Sequence, residues 1–239
     1  MTITINGPVI VLVDYDNLSP VQKEIGLVNL AHKVLSKIEF ELINEIALCD
    51  FRIYGGWYED NTITRLAEQV LEEINGNFPT LSILDNGLRV RINADLAKGL
   101  MEAPMRDLFN TYRKKQGASN IRIAKKEEVG CDADSCLIPA LRKMFKKQKC
   151  PVNNCAIEFR NIVYRDEQKL VDTMLSCDLI YAAEAGCSVI AVVSSDDDFL
   201  PPIYAAMNRN VQVIRFLTTP NTHKLVSFAG LPAISEKEI

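Results

Sequence analysis

The sequence predicts an α/β protein with a mostly parallel central sheet flanked by helices. Apolar runs rich in Val and Ile, such as residues 8–13 and 189–193, show no polar alternation, as expected of strands buried on both faces of a parallel sheet. Segments with helical spacing of apolar residues lie between such runs, and this alternation is typical of parallel sheets. The length of 239 residues fits one large domain, or one domain that carries an insertion.

The elements are predicted from local patterns in chain order. Strands are expected at residues 8–14, 49–57, 81–84, 89–92, 157–163, 188–194 and 211–217. Helices are expected at residues 28–46, 63–74, 104–113, 137–149, 167–185, 199–208 and 222–229. Most of the strands come from short β-branched apolar runs. Most of the helices come from apolar residues three and four positions apart, as Leu30, Val34 and Ile38 illustrate.

Composition excludes several classes of protein. Residues counted as hydrophobic make up 48% and charged residues 24%, which excludes a disordered chain, a fibrous repeat and a coiled coil. The apolar runs are far shorter than the ~20 residues of a membrane span, so we expect no membrane partner. The first 14 residues contain no Lys or Arg, so we expect neither a signal nor a transit peptide. Seven cysteines, an odd number, indicate reduced thiols or metal ligands and a cytoplasmic location.

Charge is distributed unevenly along the chain. The net charge is −4, yet residues 106–149 hold 12 Lys and Arg against 5 Asp and Glu. The basic segment indicates a phosphate-rich partner, and the acidic remainder of the chain indicates metal-binding carboxylates. The alternative is that both sets of charges are simply solvated surface. Residues 114–155 also shift in composition toward Lys, Asn, Gly and Cys, and we predict that they form an insertion.

Four cysteines of this predicted insertion have the spacing of metal ligands. Cys131 and Cys136 precede the basic helix at residues 137–149, and Cys150 and Cys155 follow it. Two thiolate pairs around one short helix indicate a structural Cys₄ zinc site; four ordinary loop cysteines are the alternative. The basic side chains of the helix are predicted to contact a nucleic-acid backbone, or else to form a solvated face. They are Arg142, Lys143, Lys146, Lys147 and Lys149.

Acidic residues follow two apolar strands of the predicted sheet. Asp14 ends the first strand, and Asp196 and Asp198 follow the strand at residues 188–194. Ligands of open α/β sheets bind beyond the carboxyl ends of the strands. Asp172 lies on a predicted helix between them, three residues after Lys169 and therefore on the same face.

These carboxylates predict a metal site. Several carboxylates at one point repel each other unless a cation neutralises them. Oxygen ligands without His suit Mg²⁺ or Mn²⁺, which typically act on phosphates. The alternative is that Asp14 and Asp196 cap the helices that follow their strands.

Two known families have motifs of this kind. DYDN and SDDD resemble the haloacid dehalogenase-type phosphatases, although Leu18 stands where that family has Thr or Val. VDYDNL, KLVDTMLSCD and VVSSDDDFLPPI resemble more closely the NYN family of PIN-like nucleases, with Ser195 and Asp197 in place of that family's Gly and Ser. The residues that match the NYN motifs are Asp14, Asn17, Lys169, Asp172, Asp178, Ser194, Asp196, Asp198 and Phe199.

The resemblance implies one NYN/PIN-like, Rossmann-like domain over residues 1–239, interrupted at about 114–155. It implies an endonuclease, usually acting on RNA rather than DNA, in which carboxylate-held Mg²⁺ or Mn²⁺ activates water. The implied metal ligands are Asp14, Asp172, Asp196 and Asp198, with Asn17 and Asp178 in support and Lys169 neutralising a carboxylate or contacting a phosphate. A catalytically silent nucleic-acid-binding module on the same fold is the alternative, and a phosphatase is third.

Two aromatic residues close to the predicted site are candidates for base stacking. Tyr54 and Trp57 lie in the sequence YGGWYED, which begins within the last residues of the second predicted strand. Aromatic side chains beside a nuclease site can stack a nucleic-acid base, while a position in the core is the alternative.

Overall fold

The computed structural model describes residues 3–5, 7–42, 46–85, 87–116, 123–187, 189–219 and 233–239. The chain divides into two compact units, one formed by Met1–Thr111 with Gln168–Ile239 and the other by Tyr112–Glu167. The second unit includes the residues of the predicted insertion and continues to Glu167; that they are an insertion into a nuclease-type domain stays a prediction. The helix predicted at residues 222–229 lies outside the described residues.

The secondary structure follows the predicted alternation over much of the chain. In chain order the strands are β1 (Ile3–Ile5), β2 (Val9–Asp14), β3 (Phe40–Leu42), β4 (Ile46–Tyr54), β5 (Tyr58–Glu59), β6 (Thr62–Ile63), β7 (Thr80–Ile83), β8 (Arg89–Leu96), β9 (Tyr112–Gln116), β10 (Tyr164–Gln168), β11 (Val189–Val193), β12 (Gln212–Leu217) and β13 (Ser235–Glu238). The α-helices are α1 (Pro20–Glu24), α2 (Leu27–Leu35), α3 (Arg65–Asn77), α4 (Ile138–Lys147), α5 (Phe159–Ile162), α6 (Val171–Glu184) and α7 (Leu200–Met207). Short 3₁₀ turns lie at Glu127–Val129 and Asp197–Phe199.

A seven-stranded sheet forms the centre of the first unit, in the order β13-β12-β11-β2-β4-β8-β7. Its neighbouring strands are parallel except for β7, which runs antiparallel to β8. Alternate residues of β2 face two hydrophobic clusters: one includes residues of α2 and α3, and the other includes residues of α6 and α7. The predicted α/β class, a mostly parallel sheet flanked by helices, is therefore confirmed. Across the described ranges, no helix has both the length and the apolar composition of a membrane span.

Two predicted elements are wrong. Residues 104–113 do not form a helix, because their backbone bonds to distant segments: the Leu108 amide donates to the Lys98 carbonyl and the Asn110 amide to the Asp60 carbonyl. Residues 157–163 are not a strand, since Phe159 begins the helical turn α5. Phe159 is buried within the second unit against the edge of Phe145, with ring centroids 4.2 Å apart, and this packing decides its conformation.

Two predicted helices have different bounds in the structure. The helix expected at residues 28–46 ends at Leu35 as α2, and the residues from Ile46 onward form β4. The helix expected at residues 167–185 begins only at Val171, because Gln168 still belongs to β10 and Leu170 has a positive φ of 68°.

Gly99 occupies a position where a larger residue has no room. A β-carbon there would lie 2.2 Å from the carbonyl oxygen of Arg106, and the carbonyl oxygen of Gly99 accepts a hydrogen bond from Arg52. Because the obstacle is backbone, we expect Gly99→Ala to lower the free energy of unfolding in urea by about 1–3 kcal/mol. Gly76→Ala in α3 is the control: its β-carbon meets nothing within 4 Å, and the change should stabilise by about 0.5–1 kcal/mol. Equal effects at the two positions would contradict the prediction.

Candidate metal centre

The candidate site begins where β2 and β11 end. The two strands pair in parallel with Val13 opposite Val193, so their carboxyl ends lie at the same edge of the sheet. Ser194 Oγ donates a hydrogen bond to Asp14 Oδ2 at 3.0 Å and accepts one from the backbone amide of Asp196 at 3.1 Å. The buried Ser194 hydroxyl therefore links Asp14 to the acidic loop, which we define as residues 194–198.

Five carboxylates cluster at this edge, linked by the effect of their charges on Asp14 and Asp172: Asp14, Asp16, Asp172, Asp196 and Asp198. The pKa of Asp14 is raised to about 7: burial is the main cause, the hydrogen bond from Ser194 opposes it, and the charges of Asp16 and Asp172 add to it. Burial also raises the pKa of Asp172, and the charges of Asp196, Asp198 and Asp16 act in the same direction. Since Asp14 and Asp172 are both less acidic partly because neighbouring carboxylates are charged, the cluster favours a bound proton or cation.

One of the two proposed helix caps is present in the structure. Asp196 Oδ1 accepts a hydrogen bond at 2.9 Å from the amide of Asp198 and thereby caps the 3₁₀ turn. Asp14 caps no helix, because Ser19 is the N-cap of α1. Helix capping, the alternative to a metal site, therefore explains one oxygen of Asp196. It does not explain why the Asp14 carboxylate is buried.

Asn17 supports the acidic loop through its side-chain oxygen. Asn17 Oδ1 accepts a hydrogen bond from the amide of Ser195 at 2.8 Å and another from the hydroxyl of Thr218. Ser195 Oγ in turn accepts hydrogen bonds from the amides of Thr218 and Thr219, at 2.9 and 3.0 Å. Asn17 and Ser195 together join the acidic loop to the segment that follows β12.

Asp16 is a candidate site residue that the sequence analysis missed. Its Oδ2 atom is buried and has no hydrogen-bond partner among the described residues. Burial raises the pKa of Asp16, while a hydrogen bond from Gln168, the charge of Lys23 and the amide of Gly56 lower it. The available signal was its position in DYDN, two residues after Asp14.

Asp178 belongs to a different buried cluster. Its Oδ2 accepts hydrogen bonds from the Tyr54 hydroxyl at 2.7 Å and from Arg52 Nε at 3.1 Å, and its Oδ1 accepts one from the Met101 amide at 2.8 Å. Arg52 also forms an ion pair with Asp95 at 2.6 Å. These contacts join α6, which also carries Asp172, to β4, so a supporting role of Asp178 would act through the position of that helix.

Lys169 does not share a helical face with Asp172, and that expectation is wrong. It precedes α6, and its backbone amide donates to the carbonyl of Thr111 at 2.9 Å. Its side chain is exposed at the start of the helix. A contact between Lys169 and a phosphate stays a prediction.

The base-stacking interpretation of Tyr54 and Trp57 is wrong. Both side chains are fully buried. Trp57 Nε1 donates to the Ile53 carbonyl at 3.1 Å, and its ring covers Gly55 so closely that a β-carbon there would lie 2.7 Å away. The Trp57 ring also packs on Tyr15, with centroids 5.7 Å apart. The core position, which was the alternative, is the one observed.

The carboxylates fit a hard divalent cation by their donor chemistry. They offer oxygen ligands without His, which is the set that Mg²⁺ and Mn²⁺ prefer. The orphaned Oδ2 of Asp16 and the mutual repulsion of the five carboxylates are both relieved when a cation binds. Among the described residues, however, no three His, Cys, Asp or Glu side chains lie close enough to hold a metal ion. A cation shared by three of these carboxylates would require the side chains to move toward one another.

The four cysteines of the second unit surround α4 in sequence. All four are free, half-buried thiols. The Cys150 amide donates to the Ile157 carbonyl at 2.9 Å and the Cys155 amide to the Val152 carbonyl at 3.3 Å, which forms a compact turn. Among the described residues, no three of these thiols converge with each other or with a further ligand, so the zinc site stays a prediction without structural support.

Helix α4 has the basic face that the sequence predicts. Met144 is buried and Phe145 packs on Phe159, which defines the inner side of the helix within the second unit. Three lysines of the helix and one that follows it are exposed, and Arg142 is half-buried. The exposed residues are Lys143, Lys146, Lys147 and Lys149.

Comparisons of the chain with protein families, with curated proteins and with solved structures find no match. The resemblance to the NYN family therefore depends on the quoted motifs alone.

Proposed function

We propose that the chain is a metal-dependent nuclease of the NYN, PIN-like kind that hydrolyses phosphodiester bonds, preferentially in RNA. The observation that supports this proposal is the cluster of five mutually repelling carboxylates at the carboxyl edge of a parallel sheet. Substrates of open α/β folds bind at this edge. The order and spacing of the NYN-like motifs give the same reaction class.

Each residue of the site has a proposed role. Asp14, Asp172, Asp196 and Asp198 would hold Mg²⁺ or Mn²⁺, and Asp16 adds a fifth carboxylate. Such a cation activates water and stabilises the charge that develops on the phosphate. Ser194 and Asn17 keep the carboxylates in place through the hydrogen bonds described above.

The exposed lysines of α4 and Lys169 are proposed to bind the nucleic-acid backbone by charge. Such contacts give affinity without sequence preference. A cytoplasmic location is part of this proposal, and the free state of all seven cysteines is consistent with it.

Cleavage of labelled single-stranded RNA tests the proposal. We expect cleavage with Mn²⁺ or Mg²⁺ and none with EDTA, and slower or no cleavage of the matching DNA. Asp196→Asn should reduce the rate by about 100-fold or more because the charge stabilisation of the transition state is lost. The Asn side chain can still cap the 3₁₀ turn, so folding should survive. Asp60→Asn, an exposed turn residue, is the control and should leave the rate unchanged.

A catalytically silent nucleic-acid-binding module is the second candidate. It is favoured by the finding that, in the described part of the chain, no three potential ligands have converged. RNA binding without cleavage, at the same affinity in Asp196→Asn, would support it. Hydrolysis of a phosphomonoester in place of RNA would instead support the phosphatase.

A further inference from the structure

We infer that Arg215 is a positioning residue that sets the metal affinity of the acidic loop by holding Asp197. This inference rests on the proposed metal site. Neither residue is among the predicted ligands. Asp197 stands where the NYN motif has Ser, so the motif does not account for the contact between them.

Arg215 connects three separate parts of the fold. It lies in β12, its side chain is 0% exposed, and its partners across the sheet are Val192 of β11 and Glu236 of β13. Its Nε donates to the Ser194 carbonyl at 3.1 Å. Its Nη2 donates to Asp197 Oδ1 at 3.0 Å and its Nη1 to Glu236 Oε1 at 3.2 Å. The guanidinium thus ties the end of β11, the 3₁₀ turn and the last described strand together.

A charged residue at this position is costly for folding alone. Arg215 interrupts the apolar run VIRFL of a strand whose other residues from Val213 to Leu217 are buried. Burial of an ion pair usually stabilises no better than well-packed apolar residues of similar volume would. An apolar residue would complete the core, but it could not reach a carbonyl and a carboxylate of the acidic loop.

Together with two further hydrogen bonds, the contact between Arg215 and Asp197 holds the acidic loop at three consecutive residues. The Asp196 amide is bound by Ser194 Oγ, the Asp197 side chain by Arg215, and the Asp198 amide by Asp196 Oδ1. Without a metal ion, the neighbouring carboxylates repel each other and favour an open loop. A loop that is already held does not have to be ordered when a cation binds, and the affinity is correspondingly higher.

Removing Arg215 should change the affinity for a divalent cation in opposite directions, depending on whether Arg215 acts by its charge or by positioning the loop. If Arg215 acted only through its positive charge, its loss would tighten the binding of a divalent cation. If it positions the loop, its loss weakens binding. Replacing Arg215 and Glu236 together leaves the net charge unchanged and leaves no unpaired buried carboxylate, so Arg215→Met with Glu236→Gln tests position alone.

Mn²⁺ affinity of the whole chain, measured from free Mn²⁺ by electron paramagnetic resonance, is the readout. We expect the double variant to bind Mn²⁺ about 10- to 100-fold more weakly than the unchanged chain. Asp197→Ala should lose a similar amount of Mn²⁺ affinity. The triple variant, which combines Asp197→Ala with Arg215→Met and Glu236→Gln, should lose little more than the double variant. In the metal-free protein, the amides of residues 195–199 should exchange faster with solvent. Where the double variant fails to fold, Asp197→Ala carries the test through amide exchange, because loss of its charge alone weakens Mn²⁺ binding but does not loosen the acidic loop; Asp197 is 52% exposed, so the variant should fold.

Folded variants with unchanged or tighter Mn²⁺ binding would overturn the inference, as would a lower melting temperature with unchanged affinity and unchanged exchange. An unchanged chain that binds Mn²⁺ but does not cleave RNA removes the nuclease proposal and leaves this inference standing. An unchanged chain without measurable Mn²⁺ binding overturns both.

Discussion

Asp178→Asn is expected to lower the free energy of unfolding by about 3–5 kcal/mol, as breaking one side of a buried ion pair does. The carboxylate is 1% exposed and accepts hydrogen bonds from Arg52, Tyr54 and Met101. Asparagine has a similar shape, but it has one acceptor oxygen for three donors and no charge for Arg52. Urea unfolding at neutral pH measures the loss.

Asp95→Asn is the matched control for this prediction. Asp95 binds the same guanidinium at 2.6 Å, but its side chain is 58% exposed, and we expect a cost of about 1 kcal/mol or less. Comparable losses at the two positions would contradict a special role of the buried carboxylate. Loss of Mn²⁺ binding in a folded Asp178→Asn variant would support the role that the NYN resemblance implies for Asp178.

Asp14→Asn is expected to have the opposite effect on the metal-free protein, which should become more stable above pH 7. The pKa of Asp14 is raised from 3.8 to about 7 in the folded chain. Between these values the unfolded chain releases its proton and the folded chain keeps it, so stability falls as the pH rises from about 4 to about 7. The fall amounts to at most about 4 kcal/mol, and the variant lacks it.

Urea unfolding in EDTA from pH 4 to pH 8.5 tests this sign. The unchanged chain should lose stability across the window, and Asp14→Asn should show a flatter profile; parallel profiles would disprove the assignment. Saturating Mn²⁺ at pH 8 should stabilise the unchanged chain through ligand binding and leave the variant nearly unaffected. The variant should also lose metal-dependent cleavage, whereas Asp60→Asn should behave as the unchanged chain in every assay.

The central sheet was predictable because its two middle strands, β2 and β11, are uninterrupted apolar runs. Such runs are typical of strands buried inside a sheet, and the parallel arrangement then brings the residues after them to one edge. That is why Asp14 and the acidic loop could be placed together from the sequence. β13, with the sequence SEKE, has no apolar pattern and pairs with β12 through its backbone, so no local signal reveals it.

The roles of individual polar residues were less predictable because they depend on contacts distant in sequence. The motif implies that Asp178 supports the metal site, yet its partners Arg52 and Tyr54 lie more than 120 positions away. Arg215 did give a signal, since a lone charge inside VIRFL breaks the pattern of a buried strand. Such breaks are expected where function competes with packing.

The burial of Trp57 has a practical consequence. It is the only tryptophan in the chain, it is 1% exposed, and it packs on Tyr15, which lies between Asp14 and Asp16. Its fluorescence therefore originates next to the carboxylates, with no other indole contributing to the emission. We expect a cation-induced movement of Asp14 or Asp16 to shift the Tyr15 ring against the indole and to change the emission intensity, which would make this tryptophan an optical reporter of site occupancy.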